Sequence, residues 1–205
     1  MAVTSTRRQR SDGERSRQAI LRAAANLATV DGLEGISIGN LAAHIGMSKS
    51  GLYAHFRSKE QLQLETIETA LEIFNAEVIE PADAAADPVD RLEATYDRFL
   101  DHIERRVFPG GCFFASVEAE FDAHPGPVRD RIAAIQRAWT ERLEELVRQA
   151  QTAGALSADA DPAQLAFELD AYGLMGNTSF VLHDDPVFLE HARSAIKRRL
   201  AELRA

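Results

Sequence analysis

The sequence predicts an all-α protein of about nine helices, with a small N-terminal head and a larger helical body. Three observations carry that expectation. Apolar residues recur three and four apart in segment after segment, as in Leu92, Tyr96, Phe99 and Ile103. The breaks between segments are helix punctuation: Asp31-Gly32, Gly46, Pro109-Gly110-Gly111, and the cap-then-proline pairs Asp87-Pro88, Asp161-Pro162 and Asp185-Pro186. No stretch shows sustained apolar alternation bounded by turn residues, the mark of a strand.

Taken in order, the first predicted helix opens at the capping box Ser11-x-x-Glu14 and ends at Asp31-Gly32, with Ile20, Ala24, Leu27 and Ala28 on one face. Ahead of it, residues 1–11 hold Arg7, Arg8 and Arg10 and little apolar content, so a disordered basic arm is expected there, engaging DNA or simply solvated. A second helix spans about 38–45 and a third about 49–56, joined by a turn at Gly46 and capped by Ser48. Ser58-x-x-Gln61 opens a fourth, whose stripe of Ile67, Leu71, Phe74 and Val78 runs unbroken until Pro81 stops it before an Ala- and Asp-rich linker at 82–87. Asp87-Pro88 starts the fifth, and a sixth covers about 112–122. The seventh follows Gly126-Pro127 with Val128, Ile132, Ile135, Trp139 and Leu146 inward. The eighth and ninth begin at the two remaining Asp-Pro pairs. The expected organisation is therefore an arm (1–11), a helix-turn-helix head (12–60) and a ligand-binding and dimerisation body (61–205), with the fourth helix shared by head and body.

The net charge of −9 would argue against nucleic acid if it were evenly spread. It is not: residues 1–60 carry nine Lys and Arg against five acids, and the remainder 14 against 27. A basic head on an acidic body suits a protein that turns one end toward phosphate. No apolar run approaches the roughly 20 residues of a membrane span, and the N-terminus lacks the apolar core of a secretory signal. With the single Cys112, which allows no internal disulfide, this points to the cytoplasm. The six histidines show no metal-ligand spacing, and neither a phosphate-cradling glycine loop nor a nucleophile elbow is present, so neither catalysis, a cofactor nor a metal is expected. Glu118, Glu120 and Asp122 read as a solvated acidic face.

The segment 37–61 carries most of the functional information. Leu41, Ala42 and Ile45 form one small apolar face, and Leu52 and Phe56 form another, which leaves Lys49, Ser50, Gly51, Tyr53 and His55 outward. A short helix with a small, basic, hydroxyl-bearing surface suits a DNA major groove. Lys49, Ser50 and Gly51 lead that helix and are the candidates for base edges. Tyr53 holds a hydroxyl at the end of a stiff arm, suited to phosphate, and Lys59 sits in the first turn of the fourth helix, where free N–H groups also favour phosphate. Ser37 and Ser48 cap the two short helices and are placed to donate to phosphate as well. His55 is open between a phosphate contact and a structural hydrogen bond.

Gly46-Met47-Ser48-Lys49-Ser50-Gly51-Leu52-Tyr53-Ala54-His55-Phe56 followed by Ser58-Lys59-Glu60 resembles the DNA-binding domain of the tetracycline-repressor (TetR) family, over roughly residues 14–64. A second run from Gly111 to Asp130 resembles a C-terminal segment of some members and names no ligand. The resemblance implies backbone contacts for Tyr53 and Lys59, an operator duplex as partner, a homodimer through the last two helices, and an effector pocket inside the body. Tyr96, Phe99, Ile103, Cys112, Phe113, Gln136, Trp139 and Tyr172 are the candidates to line that pocket; Trp139 and Tyr172 pair apolar area with a polar handle, as an aromatic or amphiphilic ligand would require. Cys112 is either a redox or electrophile sensor or a small buried hydrophobe. The expected function is a ligand-responsive transcriptional regulator, a repressor released by a small apolar or aromatic effector. A DNA-binding protein without ligand and an all-helical enzyme are the alternatives.

Overall fold

The computed structural model describes residues 3–204, with side chains from residue 13 onward. Its helices are α1 (Val3–Asp31), α2 (Ile38–His44), α3 (Lys49–Tyr53), α4 (Lys59–Phe74), α5 (Glu80–Asp83), α6 (Pro88–Glu104), α7 (Phe113–Phe121), α8 (Pro127–Thr152), α9 (Pro162–His183) and α10 (Val187–Leu203). A π-helical turn, Asn75–Ile79, joins α4 to α5 without a break. Counted as one rod, these give nine helical segments among the described residues, which contain no strand.

The sequence punctuation works as expected at most ends. Asp31 closes α1 and Gly32 follows at φ +80°, and Gly46 turns at φ +68° after α2. Asp87 Oδ1 accepts from the N–H of Val89 at 2.8 Å to cap α6, and Asp161 Oδ1 accepts from Ala163 at 3.0 Å to cap α9. Ser58 Oγ accepts from Gln61 N–H at 3.0 Å; the Gln61 side chain reaches past Ser58 to take the Arg57 N–H.

Three expectations need correction. Helix α1 begins at Val3 and not at Ser11, so the segment assigned to a disordered arm is helical from Val3 on; its three arginines and Gln9 favour helix, and Gly13 just beyond it costs only about 1 kcal/mol. The side chains of Arg7, Arg8 and Arg10 lie outside the described residues. The third helix is a single turn ending at Tyr53, with Ala54 and His55 in the turn beyond it. Pro81 does not end the fourth helix. It has no N–H for the Glu77 carbonyl and its ring crowds that group. The backbone widens instead: the Glu80 N–H reaches the Asn75 carbonyl five residues back, and helix continues to Asp83.

The core is continuous from head to body. Leu41, Leu52, Phe56, Leu62 and Ile67 close the head, and Phe74, Val78, Leu92, Phe99, Phe113 and Val147 continue inward. Helices α9 and α10 form a hairpin. Gly176 is what lets them close: a Cβ there would stand 2.7 Å from that of Ala192. Gly173 faces the Phe99 ring of α6. Both glycines thus allow close packing within one chain, Gly173 against the ring of Phe99 and Gly176 against Ala192. The apolar face of α10 (Leu189, Ala192, Ile196, Leu200) is likewise buried within the chain. What stays outward is a stripe on α9, with Phe167, Met175 and Leu182 exposed at 69%, 65% and 75%.

Candidate nucleic-acid interface and ligand cavity

In the head, the sequence builds two capped helices whose N-termini sit side by side. Ser37 Oγ accepts from the Asn40 N–H at 3.1 Å while Asn40 Oδ1 accepts from the Ser37 N–H at 2.6 Å, a reciprocal cap on α2. Ser48 Oγ accepts from Gly51 N–H at 3.1 Å to start α3. A Cβ on Gly51 would meet that same oxygen at 3.1 Å, so glycine keeps the cap unhindered. Lys49 crosses to α2, its Cε about 3.1 Å from where a Gly39 Cβ would stand. Ser37, Ser48, Lys49, Ser50 and Tyr53 are exposed together, with Gly51, His55 and Lys59 half-buried beside them.

Two of these residues are already engaged. The Lys59 ammonium donates to the Glu34 carbonyl at 2.6 Å and to Glu34 Oε1 at 2.7 Å, and Gln63 donates to the other Glu34 oxygen. These bonds hold the Glu34 carboxyl below its ordinary range, Lys59 contributing most. An ammonium has three donors, so two bonds to Glu34 leave Lys59 with one more to give. His55 is held by its backbone: Arg17 donates to its carbonyl at 2.5 Å and stacks 4.7 Å over the Phe56 ring.

Head and body meet through α7. Both oxygens of Glu120 accept backbone N–H groups of the loop after α1, Leu33 and Glu34, at 2.7 Å each. Glu120 is thus a clamp and not part of a solvated face, and Glu34, which it holds, is the residue that holds Lys59. Nearby, the Gly110 N–H donates to Thr29 Oγ1 at 3.0 Å and Arg22 donates to the Val107 carbonyl at 2.7 Å.

A cavity of about 300 Å³ lies in the body between α4, the π-helical turn, α6, α7, α8 and α9. Phe74, Phe99, Phe114 and Trp139 supply aromatic walls, with Phe74 and Trp139 edge-to-face at 5.5 Å. Of the eight residues the sequence nominated, Phe99, Cys112, Gln136 and Trp139 line it. Tyr96, Ile103 and Phe113 are buried in packing behind it, and Tyr172 is half-buried outside the lining. The sequence reading omitted the polar wall. Glu118 and Asp170 face the cavity, as do Arg131 and Arg142. Arg131 grips both oxygens of Glu68 at 2.5 and 2.7 Å, and Arg142 donates to Asp83 at 2.6 Å, so each cation is matched on the rod. Trp139 Nε1 donates to Asp170 Oδ1 at 2.8 Å. Glu118, expected on a solvated face, has Oε1 buried without a hydrogen-bond partner. Burial, reinforced by the Asp170 charge and opposed by Gln136, pushes its carboxyl up to about 7. Burial likewise raises Asp170 against the Trp139 hydrogen bond. The signal for Glu118 was its position four residues after Phe114, on the apolar face of α7.

Burial pushes the Cys112 thiol up to about 12. Thiolate is the reactive form, so this cysteine is a poor electrophile or redox sensor in this state and behaves as cavity wall.

Residues 20–66 match the family profile described as "Bacterial regulatory proteins, tetR family", and residues 88–196, more than half of the chain, match "Tetracyclin repressor-like, C-terminal domain". The chain belongs to the tetracycline-repressor family. It is a DNA-binding transcriptional regulator of that family, a family of regulators and not of enzymes. The transcriptional regulator AcuR of Cereibacter sphaeroides is 27% identical over 180 residues, 86% of this chain and 82% of its own. A TetR transcriptional regulator from Chloroflexus aurantiacus superposes with a TM-score of 0.87 at 27% identity, covering 95% of this chain and 98% of that one. AibR, solved in complex with isovaleryl coenzyme A and operator DNA, superposes with a TM-score of 0.70 at 27% identity over 91% and 97%. The described residues contain no cluster fit to hold a metal ion, and no helix among them is long and apolar enough to cross a membrane.

Proposed function

We propose that this TetR-family regulator is a homodimeric repressor that leaves its operator when a small apolar or aromatic effector fills the body cavity. The observation that carries the reading is the cavity itself: its wall includes Leu71, Phe74, Asn75 and Ile79 of the same continuous rod that begins, at Lys59, in the DNA-binding head. AibR, a protein of this fold solved with both an acyl-coenzyme A and operator DNA, is a precedent for the two occupancies in one regulator. On the DNA, Lys49, Ser50 and Gly51 read base edges, while Ser37, Ser48, Tyr53, Lys59 and the half-buried His55 border the phosphates. The exposed α9 stripe supports pairing of two copies through α9, with α10 flanking, since an apolar face of this kind is normally covered.

A dimer of helix-turn-helix heads reads a two-fold sequence with half-sites about one helical turn, roughly 34 Å, apart or a near multiple. Selecting bound duplexes from a random library tests this. Recovered sequences are expected to be palindromic, and scrambling one half-site to weaken binding at least tenfold. A monomer by light scattering at micromolar concentration, or indifference to the scrambled half-site, contradicts the reading.

A further inference from the structure

We propose that the effector carries a positive charge: a protonated amine or quaternary ammonium on an apolar or aromatic body. This rests on the reading of the cavity as the effector site and names the chemistry that site selects.

The argument is one of charge matching. Four ionisable side chains other than Cys112 line the cavity: Glu118 from α7, Arg131 and Arg142 from α8, and Asp170 from α9. The two arginines are charge-paired from the rod, by Glu68 and by Asp83, although Arg142 keeps its Nε buried without a hydrogen-bond partner. No cation stands against Glu118 or Asp170: Asp170 receives one indole N–H, and Glu118 Oε1 receives nothing. Two carboxylates without a counter-charge, set among Phe74, Phe99, Phe114 and Trp139, are costly in the empty site and favourable against an incoming cation. Aromatic walls of this kind also favour a cation, which ring faces attract. Tyr96 adds a buried hydroxyl without a partner behind Trp139, and burial raises it too, so it supplies no competing charge. A carboxylate or phosphate ligand would meet Glu118 and Asp170 as like charges.

The affinity for a cation follows the ionisation of Glu118. With that carboxyl half-protonated at about pH 7, under the influence of Asp170 and with Arg131 and Arg142 tied to the rod, a cation binds more tightly at pH 8 than at pH 6.

The test uses three probes of one shape: 4-phenylbutylamine, 4-phenylbutanol and 4-phenylbutanoate. Each is titrated into the full-length protein while Trp139 emission, the chain's only tryptophan signal, is followed. The amine is expected to bind at least tenfold more tightly than the alcohol at pH 8, the carboxylate weakest of the three. Its advantage shrinks severalfold at pH 6, where the amine is still fully protonated, and shrinks to the same extent, now independent of pH, in Glu118→Gln. Should that variant fold poorly by circular dichroism, the pH comparison on the native chain decides alone. An alcohol or carboxylate that moves Trp139 emission with affinity equal to or above the amine overturns the cationic class and leaves the cavity as effector site. Silence of Trp139 toward all three overturns both.

Discussion

Glu118 and Lys59 show how little a residue's type says about its work until its surroundings are known. The Glu118 carboxyl holds its proton up to about pH 7 in the fold, against an ordinary 4.5, so its contribution to stability is full below pH 4.5 and is lost as pH rises through 7. At pH 8 the native chain carries a charge that its site does not compensate. Glu118→Gln removes it and is expected to raise the melting temperature at pH 8 by a few degrees, on the order of 1 kcal/mol once solvent access is allowed for, with little change at pH 4.5. His102, held down to about 4 by burial between Phe74 and Phe108, makes stability fall as pH drops from 6.5, but it does so in both proteins and cancels in the comparison. An equal shift at both pH values would contradict the assignment. Lys59 has two donors spent on Glu34, and on the proposed reading the third meets phosphate. Lys59→Ala should therefore weaken binding to all sequences alike and lower the slope of log affinity against log salt by about one unit. Lys49→Ala should instead alter which bases are preferred. An unchanged salt slope in Lys59→Ala would show that its ammonium serves only to hold Glu34.

At the scale of elements, the decisive piece is α7. Glu118 faces the cavity and, two residues on, Glu120 clamps the Leu33-Glu34 backbone, which in turn positions Lys59 at the start of α4. The rod itself, α4 with its π-helical turn at the cavity wall, is the second connection between the two sites. Glu120→Ala is expected to leave ligand affinity within about threefold while cutting the ligand's effect on operator affinity several-fold, because it removes two charge-assisted hydrogen bonds between body and head. Full retention of the ligand effect would place the coupling in the rod alone. The helices themselves were legible because caps, prolines and apolar periodicity are local: Asp87, Asp161, Gly32 and Gly46 each act where the sequence puts them. The π-helical turn was not, since Pro81 reads as a stop unless the tertiary packing of Val78 and Ala82 holds the chain helical through it. In the cavity, apolar area pointed to Phe99 and Trp139, which stand in its wall, but area alone cannot separate them from Tyr96 and Phe113, which pack one layer back. The carboxylates Glu118 and Asp170 were missed because an acid on a helix is ordinarily solvated.

For the whole molecule, the asymmetry between a basic head and an acidic body would orient the protein on DNA, and the outward stripe of α9 supports the proposed dimer, which would fix the distance between two heads. On the proposed reading, a ligand would act by favouring the arrangement whose heads no longer match the duplex, and a coupling of about 1–3 kcal/mol would correspond to a 5- to 150-fold loss of operator affinity. The most direct test follows Trp139 emission and the anisotropy of a labelled operator duplex in one titration with an effector candidate. Trp139 reports the cavity and anisotropy reports the head. The account predicts that both signals change together, with operator affinity falling by a factor in that range as the Trp139 signal saturates. Saturation of Trp139 with operator affinity unchanged would contradict it.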